Sequence, residues 1–147
     1  MNINKPKISI ISSAIRPVNW IKIYESVNED NNLFEFFFIG PNKPNYSLPN
    51  NFIFVESFVK PAQCWQYGFN NCNGEFVIPM ADDLIFKTDK PLSKLFNEWQ
   101  KYKDIKNIIA CQYNIDGERI PEEEQKILPG YETPYVPACF MINKNFF

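Results

Sequence analysis

The sequence predicts an α/β fold on a mostly parallel central sheet, and three observations predict it. Short runs of β-branched and aromatic residues alternate with segments whose apolar residues recur every three or four positions. One run, Phe34-Glu35-Phe36-Phe37-Phe38-Ile39, is apolar almost throughout, as a strand covered on both faces should be. Another, within Gly74 to Phe86, ends on the adjacent carboxylates Asp82 and Asp83, at the strand edge where open α/β sheets bind ligands.

The elements follow in order. Lys7 to Ser13 reads as a first strand ending in small hydroxyl residues, Ser12 and Ser13, which let a ligand approach or simply begin a loop. Pro17 suits the start of a helix over Val18 to Asn28, where Ile23 and Val27, or Trp20, Ile23 and Tyr24, share a face. Phe34 to Ile39 is the second strand, stopped by Gly40-Pro41-Asn42, and Phe52 to Val55 is the third. Lys60-Pro61 opens a helix in which Ala62, Trp65, Phe69 and Cys72 recur at helical spacing. Gly68 inside it costs about 1 kcal/mol against Ala, which close packing on the sheet can offset. Asn73-Gly74 turns into the strand that carries the acids. Leu92, Leu95, Phe96 and Trp99 make 91–102 an amphipathic helix whose stripe belongs to the core. Asn107 to Tyr113 reads as a strand, 115–118 as a turn, Glu122-Glu123-Glu124 as a solvated face, and Tyr135 to Ile142 as a last strand.

Length and composition bound the function. The 147 residues fit one domain, 1–147, with a hydrophobic core of its own. A formal charge of -2 gives no electrostatic footprint for nucleic acid. The chain has no histidine, and Cys64, Cys72, Cys111 and Cys139 show neither a CxxC pair nor zinc spacing. A zinc enzyme, a Ser-His-Asp triad and a Cys-His dyad are therefore disfavoured, and the cysteines read as core residues in a reducing compartment. The apolar run at the amino terminus is too short for a signal peptide and no stretch has membrane-spanning length, so the expected location is cytoplasmic.

Two adjacent like charges at a strand end repel, and a hard cation relieves them, so the pair points to a metal held against a phosphorylated ligand. The competing reading is a surface turn, which Asp also favours.

The chain resembles the amino-terminal part of a GT-A glycosyltransferase, closest to the large inverting family 2. The resemblance rests on Lys60 through Phe86, a helix followed by Gly74-Glu75-Phe76-Val77 and the acid pair, on Pro6 to Ile11 as the opening strand, and on Phe34-Glu35 as the second. It implies a three-layer sandwich and transfer of a sugar from a nucleoside-diphosphate sugar, UDP-sugar by default, to an acceptor hydroxyl, with inversion. Asp83 would then ligate Mn²⁺ or Mg²⁺ bridging the phosphates, and Asp82 would reach the ribose or the metal shell. Ser12 and Ser13 would line base and ribose, with Gly40 and Lys60 completing the nucleotide-binding set.

Three departures shape the expectation. The Asp with which the family ends its second strand is replaced by Gly40-Pro41-Asn42, which leaves the base open, and Ala81 stands where a third acid often lies. The family's catalytic base and acceptor segment would fall beyond Phe147, so the fold is expected to be truncated there and completed by a missing segment or a partner chain. Glu122, Glu123, Glu124 and Glu132 are available carboxylates with no assigned role. The alternative is a nucleotide-sugar-binding or scaffolding domain without catalysis. A sugar-nucleotide pyrophosphorylase ranks low because Ser12-Ser13-Ala14-Ile15-Arg16 lacks the glycine its loop requires.

Overall fold

A computed structural model of the chain describes residues 6–102, 104–111, 114–115, 118–119 and 139–146. Its centre is a six-stranded sheet in the order β3-β2-β1-β4-β8-β5. The strands are β1 Ile8–Ser13, β2 Phe34–Gly40, β3 Phe52–Glu56, β4 Phe76–Ala81, β5 Ile109–Ala110 and β8 Phe140–Asn143. β1 runs parallel to both β2 and β4, and β2 runs parallel to β3. β8 is antiparallel to β4 and to β5. A separate pair, β6 Asn114–Ile115 and β7 Glu118–Arg119, is antiparallel.

Strand alternation sorts the core into two layers. Ile8, Ile10, Phe36, Phe38, Phe76, Ile78 and Met80 point to one face, where they meet Trp20, Ile23 and Val27 of α1 (Pro17–Val27) and Leu92 of α3 (Pro91–Tyr102). Ile11, Phe37, Ile39 and Val77 point to the other, against Cys64 within α2 (Pro61–Asn71) and Cys72 just after it. The result is the three-layer α/β arrangement expected from the alternating patterns. Trp20 stacks on Phe38 at 4.7 Å, and Phe38 on Phe52 at 4.4 Å, so the aromatic richness of the sequence is spent on the α1 face.

Helix limits follow local chemistry. Pro17 and Pro61 fill first-turn positions whose N–H groups would have no partner. Asn28 ends α1 at φ 46°, a left-handed conformation that Asn tolerates. A Cβ at Gly68 would lie 2.4 Å from Ile11 Cγ2, so the glycine is what lets α2 approach the sheet.

At the amino-terminal edge of the sheet, Glu35 is buried but accepts from Ser9 Oγ at 2.6 Å, Asn73 N at 2.5 Å and Asn73 Nδ2 at 3.0 Å. Ser9 Oγ also accepts from Gly74 N at 2.8 Å. This network fixes the turn between α2 and β4 and therefore the register in which β4 reaches its acids.

Two expected strands are shorter than the sequence reading. Within 107–113 the described strand is Ile109–Ala110, and within 135–142 it begins at Phe140. Residues 112–113, 116–117 and 135–138 lie outside the described residues, as do Glu122, Glu123, Glu124 and Glu132. The expected 115–118 turn is spanned by the Ile115 and Glu118 pairing. No described helix is long and apolar enough to cross a membrane.

Candidate nucleotide site at the strand ends

The carboxyl ends of β1, β2 and β4 converge on one short loop, 14–16, which links β1 to α1. Ala14 continues the β1 ladder by donating its N–H to Ile39 O at 2.9 Å. Beneath it Gly40 has no side chain, and a Cβ there would stand 1.6 Å from Ala14 O. Only glycine allows β2 to pass so close, which leaves Ile15 and Arg16 facing the end of β4.

There they meet Asp82. Ile15 N and Arg16 N both donate to Asp82 Oδ2 at 2.7 Å. Arg16 Nε and Nη2 donate to Oδ1 at 3.0 and 2.7 Å. The Asp82 side chain is only 2% exposed, so these four donors replace water completely. Its position at the amino end of α1 adds the favourable end of the helix dipole. Burial by itself would raise the Asp82 carboxyl, but the Arg16 guanidinium and the two backbone N–H groups outweigh it and hold the pKa below the ordinary carboxylate value. The reciprocal effect raises Arg16, first through the hydrogen bond to Asp82 and then through its charge.

Asp83 differs in every respect. Its side chain is 51% exposed, and Arg16 Nη2 lies 3.2 Å from its Oδ2. Arg16 thus bridges the acid pair, reducing the charge of the cluster from two negatives to one. Sequence reasoning missed this residue as part of the site. The available signal was its position one residue before the Pro that starts α1, at the end of the first strand.

The other expected site residues separate by exposure. Ser12 is 1% exposed, and its Oγ has no hydrogen-bond partner among the described residues. Ser13 is half-buried at the end of β1. Gly40 acts one step removed, by seating the 14–16 loop. Lys60 is exposed just before α2, with its backbone N–H donating to Gln63 Oε1 at 3.2 Å.

The acids can be tested for a metal on their own donor chemistry. Both Asp82 oxygens are engaged, and no group of three or more His, Cys, Asp or Glu able to hold an ion occurs among the described residues. Asp83 is therefore the one open carboxylate of the pair. That set fits Mg²⁺ or Mn²⁺ bound through one carboxylate plus a ligand's phosphates, and does not fit an all-protein cage.

No protein-family model matches the sequence. No curated protein matches it either. Among solved structures, Staphylococcus aureus TarS residues 1–349 superposes with a TM-score of 0.68 at 12% identity, covering 94% of this chain and 47% of that one. The same TarS fragment in complex with UDP gives 0.66 at 11% identity with the same coverage. The chain thus spans about half the length of these structures. With β1 to β4 parallel, β8 antiparallel and helices on both faces, the chain has a GT-A-like glycosyltransferase fold.

Proposed function

We propose that the chain binds a nucleoside-diphosphate sugar, with UDP-sugar the first candidate, at the carboxyl ends of β1, β2 and β4. We further propose that it serves metal-dependent transfer of the sugar to an acceptor hydroxyl. The observation that carries this reading is the division of labour at the acid pair. One acid is locked inside and the other stands open at the strand end, on a fold shared with a UDP-bound neighbour.

In this reading Asp83 would hold Mn²⁺ or Mg²⁺ together with the diphosphate, and the ion would supply Lewis-acid stabilisation of the leaving nucleoside diphosphate. Asp82 fixes the 14–16 loop and does not itself ligate. Arg16, half-exposed and bridging both acids, presents a second positive charge beside the phosphates. Ser13, the last residue of β1, and Lys60, just before α2, would meet ribose, base or phosphate. An inverting transfer also needs a carboxylate to take the acceptor proton, and no described residue is assigned that role.

The test is a thermal-shift panel of UDP, GDP, CDP and dTDP with and without Mn²⁺, on wild type and Asp83→Asn. A metal-dependent shift with one nucleotide, lost in the variant, is the expected result. A folded chain that no nucleotide shifts, with or without metal, sinks the reading. The second reading is a binding domain without turnover. Donor hydrolysis or transfer to any acceptor in a panel would remove it.

A further inference from the structure

Cysteine spacing alone reads as four core residues, but the structure brings two of them together. Cys111 directly follows β5 and Cys139 directly precedes β8, and Cys111 N donates to Cys139 O at 3.1 Å. Their Sγ atoms lie 3.4 Å apart, although 28 residues separate them along the chain. Cys64 and Cys72 contrast with this pair. They are buried at 1% and 6% exposure, and their thiols face Val59 O and Phe69 O.

We propose that Cys111 and Cys139 form a reversible thiol–disulfide pair, oxidised by small-molecule disulfides of the glutathione type, that clasps β5 to β8. This inference is independent of the nucleotide reading.

Three features support it. The two sulfurs need to close by little more than an ångström, and the ladder already holds their backbones opposite one another. Cys111 is half-buried and so within reach of an attacking reagent, whereas Cys139 is almost fully covered. The S–H···S hydrogen bond that joins the two sulfurs holds Cys111 below the ordinary thiol value against the opposing effect of burial. The same hydrogen bond, with burial, pushes Cys139 up. Cys111, the more exposed of the two, is the attacking thiol and Cys139 the resolving one.

The chemistry balances. The Cys111 thiolate attacks one sulfur of glutathione disulfide, forms a mixed disulfide and releases one glutathione thiolate. Cys139 then gives its proton to that thiolate and attacks the Cys111 sulfur, expelling the second glutathione as thiolate, which takes up the proton Cys111 had lost. Two protein thiols are oxidised and one glutathione disulfide is reduced.

The clasp has a defined place. β8 pairs with β4 through Phe76 opposite Asn143 and Val77 opposite Ile142. Continuing that register sets Cys139 level with Met80, two residues before Asp82, and both Cys139 and Met80 belong to the same core cluster. The bond would therefore form at the end of the sheet that carries the acids.

The experiment equilibrates the purified chain in glutathione buffers of graded potential, traps free thiols by alkylation and maps the products by mass spectrometry. The expected result is loss of two hydrogens in a peptide pair joining Cys111 to Cys139, with Cys64 and Cys72 alkylated. The oxidised chain should melt about 5–10 °C higher, because closing a loop of this length restricts the unfolded state. Dithiothreitol should reverse the gain, and Cys111→Ser should never show it. No oxidation across the series, a stable glutathione adduct on Cys111 that does not resolve, or a bond mapped to Cys64 or Cys72 would each overturn the proposal. The mass readout on wild type decides the matter even if a variant folds poorly.

Discussion

Replacing Asp82 by Asn tests whether this acid holds the fold. The carboxylate takes four donors on two oxygens, two from the loop backbone and two from Arg16. An amide of the same size offers one oxygen and turns an NH₂ group towards the remaining pair. The cheaper arrangement keeps the oxygen on Ile15 N and Arg16 N, since those donors are fixed, and releases the guanidinium, which is half-exposed and can turn to water. The loss is then that of charge-assisted hydrogen bonds at a buried acceptor, about 2–3 kcal/mol. For a domain of this length that lowers the melting temperature by about 5–10 °C. Urea unfolding followed by tryptophan fluorescence measures it, with Trp20 fully buried as a reporter of the core beside α1. A variant within about 0.5 kcal/mol of wild type would refute the reasoning, because surface substitutions have effects of that size.

Asp83→Asn should behave oppositely, costing less than about 0.5 kcal/mol at an exposed position while removing the metal-dependent nucleotide shift; a retained shift would transfer the ligand role elsewhere. The Asp82 contribution should also depend on pH. Its folded pKa lies below the unfolded one, so the stability it adds is complete above about pH 4 and is lost as pH falls through the folded value. Urea titrations from about pH 6 down to about pH 3 should thus show the gap between wild type and Asp82→Asn narrowing with acid, and a constant gap would argue against this assignment. Gly40→Ala sets a Cβ against the Ala14 backbone, so the loop must move, at a cost of about 3 kcal/mol, and the nucleotide shift should go with it. An alanine variant as stable as wild type, with the shift intact, would show that the close approach is dispensable. Finally, on the proposed reading metal and nucleotide should bind cooperatively, since Asp83 alone would be a weak site and the phosphates would supply the remaining oxygens. Calorimetry should find UDP binding strengthened by Mn²⁺ and Mn²⁺ binding strengthened by UDP to the same factor, and equal affinities in both titrations would contradict it.

Much of the architecture was legible because single-chain patterns report local burial. The Phe34 to Ile39 run predicted a strand covered on both faces, and every residue of β2 is buried. Gly68 predicted a close helix approach, and Ile11 fills the space its side chain would have taken. Less legible was anything that depends on two distant segments meeting. Arg16 and Asp82 are 66 residues apart, and no periodicity connects them. The same holds for Cys111 with Cys139. The burial of Ser12 was likewise not legible. A serine at a strand end reads as ligand-facing, yet the strand's alternation turns this one into the layer that holds Trp20 and Met80, while Ser13 points the other way.

That alternation also explains why two identical neighbours in sequence do different work. Met80 is buried, Ala81 half-buried, Asp82 buried and Asp83 exposed, so the inward and outward rhythm of β4 persists into the turn that ends it. The inward position must be satisfied by the protein, because a buried carboxylate without partners is among the costliest groups a fold can contain. The 14–16 loop provides that satisfaction, and only because Gly40 lets it sit there. The outward position carries no such requirement. Its carboxylate is half-exposed and shares the Arg16 guanidinium with its neighbour, and it is there that the proposed ion would bind with its ligand. Exchanging the order of inward and outward, by a one-residue shift of β4 against β1, would bury Asp83 and expose Asp82. The Glu35 network at the other end of the sheet, which pins Asn73 and Gly74 to Ser9 and Glu35, is what prevents that shift.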